Sequence, residues 1–197
     1  DPDGELKYNG VVYNEMKGAF SSPEDVLDRE IINSLFPDTP YANESGGDPA
    51  CIPDLSYEDF LAFHQKYYHP SNSFVYLYGN MDVEERLGFL DREYLSHFEA
   101  KEIHSEIPLQ KPFSEMRTVR KQYSISQSDS LTENTYLSYN AAIGTSLDTV
   151  MANAFAVIEY ALLSAPGAPL KQALLDAGIG KDIMGSYDSG TYQPIFS

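Results

Sequence analysis

The sequence predicts an α+β fold in which antiparallel sheets pack with helices. Three observations lead there. Apolar residues recur at helical spacing in several separate stretches. Aromatic and β-branched runs of strand type lie between those stretches. The two kinds of segment also mix without the strict rhythm of βαβ units, which favours antiparallel over parallel sheets. The chain has 197 residues, 42% hydrophobic and 22% charged, enough to build a core and unlike a disordered chain.

The elements follow in order. Gly10-Val11-Val12-Tyr13-Asn14-Glu15-Met16-Lys17-Gly18 reads as one helical segment. Val12 and Met16 share a face that can bury, which leaves Glu15 beside an apolar stripe. A carboxylate there needs a cation, hydrogen bonds or a metal. On spacing alone, a nearby lysine such as Lys17 is the expected partner. Ser22-Pro23 followed by acidic residues starts a second helix, with Val26, Leu27, Ile31 and Leu35 on its apolar face and Pro37 ending it. The loop 37–49 is rich in Gly, Pro and Asp, and Gly46-Gly47 reads as a turn.

Ser56 and Asp59 form a capping box for a third helix bearing Phe60, Phe63 and Tyr67. Ser73-Phe74-Val75-Tyr76-Leu77-Tyr78-Gly79 reads as a strand. Residues 83–98 read as an amphipathic helix with Leu87, Leu90, Tyr94 and Phe98 inward. Residues 99–113 lose apolar periodicity and contain Pro108 and Pro112, which marks a linker. Beyond it, 117–125, 135–142 and 183–192 read as strands. Residues 150–163 read as a buried helix, and 168–177 as a shorter one closed by Gly178 and Gly180.

Charge and cysteine usage exclude some roles. The net charge of −17 repels nucleic acid and anionic membrane surfaces, so neither is expected as a partner, and basic peptides are weakly favoured. Cys51 is the single cysteine, so no intramolecular disulfide forms, which fits a reducing compartment. No run is read as approaching the roughly 18 apolar residues of a membrane helix. The first residues, Asp1-Pro2-Asp3, are neither a signal peptide nor an initiator methionine, and the chain is expected to be an internal fragment.

The four histidines supply no evident site. His64 and His69 are five apart and fall on different helix faces, whereas helical zinc pairs need four. His97 and His104 have no acidic or thiol companion at ligand spacing. Cys51 has no obvious base to make it a nucleophile. Residue chemistry alone therefore gives an acidic α+β fragment of unassigned role.

The order of motifs adds more. Gly10 to Ser21 leads to Ser45-Gly46-Gly47-Asp48-Pro49, then Ile52-Pro53-Asp54-Leu55-Ser56, then 63–72 (Phe-His-Gln-Lys-Tyr-Tyr-His-Pro-Ser-Asn) and Tyr78-Gly79-Asn80. Leu147 to Gly180 continues the series, with Pro166-Gly167-Ala168-Pro169-Leu170 and Ala177-Gly178-Ile179-Gly180. This series resembles the presequence-protease branch of the pitrilysin/insulinase family of zinc peptidases, over nearly the whole chain.

The resemblance implies a zinc-dependent metalloendopeptidase that hydrolyses unstructured peptides inside an enclosed chamber. It implies zinc held by two histidines of an inverted His-Xaa-Xaa-Glu-His helix and by a distant glutamate, which Glu15 matches. The motif's own glutamate would be the general base. The chain contains no such motif, so the base and both histidines are expected upstream of Asp1, and the chain alone is expected to be inactive. Where other branches carry an acidic residue seven positions before the ligand, this chain has Tyr8.

The implied architecture is two truncated ferredoxin-like domains: 1–99, the C-terminal part of the zinc-binding domain, and 113–197, the N-terminal part of the second, joined by a linker at 100–112. Expected partners are unstructured peptides and the remaining parts of the same polypeptide. The expected location is cytoplasmic, with an organelle matrix as the alternative. A catalytically inactive homologue, kept as a structural or peptide-binding half, is the competing reading.

Overall fold

The computed structural model describes residues 4–197 and divides into two compact units. One comprises the chain up to Ala50 together with Ile107–Ser197, and the other is Cys51–Glu106. Among the described residues, the first unit combines helices with one small antiparallel sheet and the second holds helices alone, together compatible with an α+β fold.

In the first unit, helix α1 spans Val11–Ala19 and helix α2 spans Pro23–Leu35. The Ser22 side chain accepts a hydrogen bond from the Asp25 amide, and Pro23 opens the first turn, so α2 begins where local chemistry predicts. The expected apolar face of α2 is half-buried, and Phe36, just past its end, is completely buried at 0% exposure. A 3-10 turn at Pro40–Ala42 follows, capped by Thr39.

Around Phe36 lies a buried polar knot. The Gln110 side chain is 6% exposed; its amide nitrogen donates to Asp38 Oδ2 at 2.8 Å, and its carbonyl accepts from the Asp38 amide at 2.9 Å. The Gln110 backbone amide donates to Gln193 Oε1 at 2.6 Å. Tyr41 Oη accepts from the Tyr192 amide at 2.9 Å. A linker expectation for 99–113 thus meets a residue that is fixed rather than free, because the buried Gln110 bonds Asp38 on one side and Gln193 on the other.

The sheet has three strands, β1 (Ala141–Ala142), β2 (Tyr187–Asp188) and β3 (Ile195–Phe196). Central β3 pairs antiparallel with both neighbours, with Phe196 opposite Ala141 and Tyr187. Expected strands at 135–142 and 183–192 therefore shrink to two residues each, and the one at 117–125 is irregular. A strand exists only through the ladder it joins. Among the described residues, β3 is the only pairing partner these runs find.

The apolar run at 150–163 forms a helix, but an exposed one, which corrects the expectation of a buried helix. It spans Thr149–Glu159, capped by Asp148, and continues as a π-helical turn, Tyr160–Ser164. Val150 and Val157 face solvent, while Phe155 packs against Tyr187 and Phe196. Leu163 is buried against Gly185, where a Cβ would meet the Leu163 Cβ at 2.5 Å. Cover is supplied to one side only. The next helix, Pro169–Asp176, closes with a Schellman motif. Gly178 has φ +69, its amide bonds the Leu175 carbonyl, and the Ile179 amide bonds the Leu174 carbonyl.

By length and composition, the 28-residue stretch Thr149–Asp176 is apolar enough to cross a membrane, which corrects the expectation that no run approaches that size. The π-helical turn and the break at 165–168 interrupt it.

The second unit holds helix α3 (Tyr57–Tyr67) and helix α4 (Val83–Glu93), with 3-10 turns at Ile52–Asp54, Pro70–Asn72 and Leu95–His97. Ser56 caps α3 as predicted, accepting from the Asp59 amide, while the Asp59 carboxylate accepts from the Ser56 hydroxyl in place of the backbone bond of a full capping box. Residues 73–79 form no strand, and Phe74 is fully exposed, because nothing among the described residues pairs with that run. Leu87, Phe60 and Phe63 are likewise exposed rather than inward.

Candidate functional site

Glu15 lies in the second half of α1, a helix of nine residues. Nine residues are too few to be stable alone, so tertiary contacts must hold the helix in place. Its N-cap, Gly10, offers no side-chain bond. Asn14 donates to Asn9 Oδ1 at 2.8 Å and ties the segment before the helix to its first turn. Lys17 Nζ lies 5.5 Å from the centre of the Tyr13 ring. The Glu15–Lys17 pair expected from spacing therefore does not form; the ammonium sits on an aromatic face instead. Glu15 is exposed and has no ion pair among the described residues.

The apolar stripe beside Glu15 is only partly covered. Val12 is 56% exposed and Val11 more so, while Met16 is half-buried. Met16 lies directly on Gly46, where an added Cβ would come within 2.8 Å of its Cε. The Gly46–Gly47 segment is the turn the sequence predicts: the Gly47 amide bonds the Glu44 carbonyl, and Gly47 has φ +91. From α2, the Arg29 guanidinium stacks 3.8 Å from the Phe20 ring centre and pairs with Asp48 at 3.9 Å. Sequence reasoning did not find this arrangement, because no local pattern joins Arg29 to Asp48.

Three of the four histidines are engaged otherwise. His64 stacks on Tyr68 at 4.5 Å. His69 Nδ1 accepts from the Ser71 amide at 3.1 Å, capping the Pro70–Asn72 turn, and its ring meets Phe98 edge-on. His104 sits 3.8 Å from Glu102. Among the described residues, no three metal-ligating side chains gather. Cys51 is exposed and free.

A profile described as "Peptidase M16 inactive domain" matches residues 54–197. The chain belongs to the M16 peptidase family. Within that family it lies in the presequence-protease branch, as its relatives indicate. It is 52% identical over 195 residues to "Protein HypA" of Clostridium perfringens, covering 99% of this chain and 20% of that protein. To "Presequence protease 1, chloroplastic/mitochondrial" of Arabidopsis thaliana it is 38% identical, covering 94% of this chain and 17% of that protein. To "Presequence protease, mitochondrial" of Danio rerio it is 34% identical, covering 100% of this chain and 20% of that protein. This M16 chain thus spans about a fifth of the length of the relatives it matches. Glu15 lies before the stretch matched by the family profile.

The donor chemistry at Glu15 fits zinc as one ligand of several. Zinc accepts carboxylate oxygen alongside imidazole nitrogen, and structural or catalytic sites need three or four protein ligands. An exposed carboxylate with no ion-pair partner among the described residues is available for that role.

Proposed function

We propose that the polypeptide carrying this chain is a zinc metalloendopeptidase acting on unstructured peptides within an enclosed chamber, and that Glu15 is one of its zinc ligands. Membership of the M16 peptidase family is the observation that carries this reading. Two histidines and the general base come from other parts of the same polypeptide. When bound, zinc polarises the scissile carbonyl and lowers the pKa of water to near neutrality. Glu15 contributes a charged oxygen donor from α1, and its negative charge offsets part of the cation's. Two ferredoxin-like domains, 1–99 and 113–197 with a linker at 100–112, complete the proposed architecture. The net charge of −17 favours basic peptides over nucleic acid or anionic membranes.

The proposed location is the cytoplasm, given a relative from a bacterium; an organelle matrix is the alternative, since other relatives are named mitochondrial or chloroplastic. A second reading has one observation in its favour. The profile matched by 54–197 is described as an inactive domain, which suits a structural or peptide-binding half.

Incubation of the full-length protein with an unstructured fluorogenic peptide tests the proposal. Cleavage is expected, abolished by a chelator and restored by zinc, whereas the isolated 197-residue chain gives none above blank. Chelator-insensitive cleavage by the full-length protein, or zinc-dependent cleavage that follows the purified chain, would overturn it.

A further inference from the structure

We propose that the loop Ser45–Pro49 is the positioning element for the Glu15 carboxylate, with Gly46, Met16, Arg29 and Asp48 as its working parts. The inference rests on the reading of Glu15 as a zinc ligand. A ligand carboxylate must be held to within a fraction of an ångström to complete a metal site. The first turn of α1 lacks a side-chain cap, and none of its residues is buried, so the helix cannot place Glu15 by its own stability.

Two contacts supply what α1 lacks. Met16, the residue after Glu15, rests on the bare backbone of Gly46. Any side chain at Gly46 would occupy the space of the Met16 thioether and push it off its seat. At the C-terminal end of the helix, Phe20 lies under the Arg29 guanidinium at 3.8 Å, and the same guanidinium reaches Asp48 at 3.9 Å. Arg29 is largely buried at its side chain, 18% exposed, so its planar face and its charge are both engaged. The loop thereby grips α1 at Met16 directly and at Phe20 through Arg29. Asp48 Oδ1 also accepts from the Ala50 amide at 2.8 Å, which fixes the carboxylate that anchors Arg29. The motif Ser45-Gly46-Gly47-Asp48-Pro49 thus acquires a role although it bears no catalytic group.

Chelator competition on the zinc-loaded full-length protein tests this, with zinc loss scored per folded molecule by circular dichroism and metal analysis. Met16→Ala and Gly46→Val are each expected to weaken zinc retention about 10-fold or more, the usual effect of disturbing a ligand's support. Met16→Leu, which keeps the volume, is expected to retain zinc like the unaltered protein. Met16→Ala with Gly46→Val is expected to lose little more than either alone, because both remove one contact. Unchanged zinc retention in Met16→Ala and Gly46→Val, alongside zinc loss in Glu15→Gln, overturns the positioning role and leaves the ligand reading standing. Full zinc retention in Glu15→Gln overturns the ligand reading and this inference with it.

Discussion

The knot around Phe36 and the block Cys51–Glu106 differ in how far packing supports their local structure. Phe36 is 0% exposed, Thr39 and Tyr41 contact it, and Gln110 and Tyr192 bond the neighbouring Asp38 and Tyr41, so residues distant in sequence hold each other there. Of the described residues in Cys51–Glu106, none is buried, although both helices there carry side-chain caps. Capping needs only a few consecutive residues, whereas burial needs a partner surface. The second block therefore has well-formed elements whose apolar faces remain uncovered.

The comparison breaks most readily at its aromatic residues. Phe36→Ala is expected to cost about 3–5 kcal/mol, the range for emptying a closed aromatic site. Phe74→Ala in the isolated chain is expected to stay within about 0.5 kcal/mol, as for an exposed substitution. Urea unfolding of both variants checks this, and equal losses would erase the contrast. In the full-length protein, a large loss for Phe74→Ala is expected, because 73–79 has the composition of a buried strand.

A smaller effect is expected at Gln110. Replacing it with alanine strands the Asp38 amide and removes the bond to the Asp38 carboxylate, at a cost of about 1–3 kcal/mol. Limited proteolysis gives a second readout. Cleavage within 99–113 is expected to fall before Ile107 in the unaltered chain and to spread toward Gln110 in the variant. Cutting at Gln110 from the outset would remove the knot from the account.

Asp28 provides the smallest effect. Partial burial raises its carboxyl above the usual range, and the neighbouring charges of Asp25 and Glu24 raise it further. In the window between the ordinary and the raised value, the folded chain keeps a proton that the unfolded chain has released. Stability therefore falls as pH rises through that window, and the penalty is fully present above it. Asp28→Asn is expected to raise the melting temperature at neutral pH and leave it unchanged at strongly acidic pH. The opposite pattern would mean that Asp28 is stabilised as the anion.

These differences also explain what was legible in the sequence. Ser22 and Ser56 announced their helices because cap chemistry spans three residues, and Gly178 announced a helix end because the Schellman turn requires its positive φ. The strand runs at 73–79 and 117–125 carried the right residue types, but pairing depends on distant partners that composition does not name. The role proposed for Glu15 rests on motif order, whereas spacing alone points to a Lys17 pair. Arg29, Asp48 and Gly46 were hidden because their contacts join segments with no shared periodicity.

The zinc content of the full-length protein, with and without Glu15→Gln, tests the central claim most directly. The substitution keeps size and hydrogen bonding but removes the charge that makes the carboxylate a zinc ligand. Bound zinc is expected to fall strongly while the far-ultraviolet circular dichroism stays unchanged, since Met16 still rests on Gly46. Equal zinc in both proteins would remove Glu15 from the ligand set and return it to an ordinary exposed helix carboxylate.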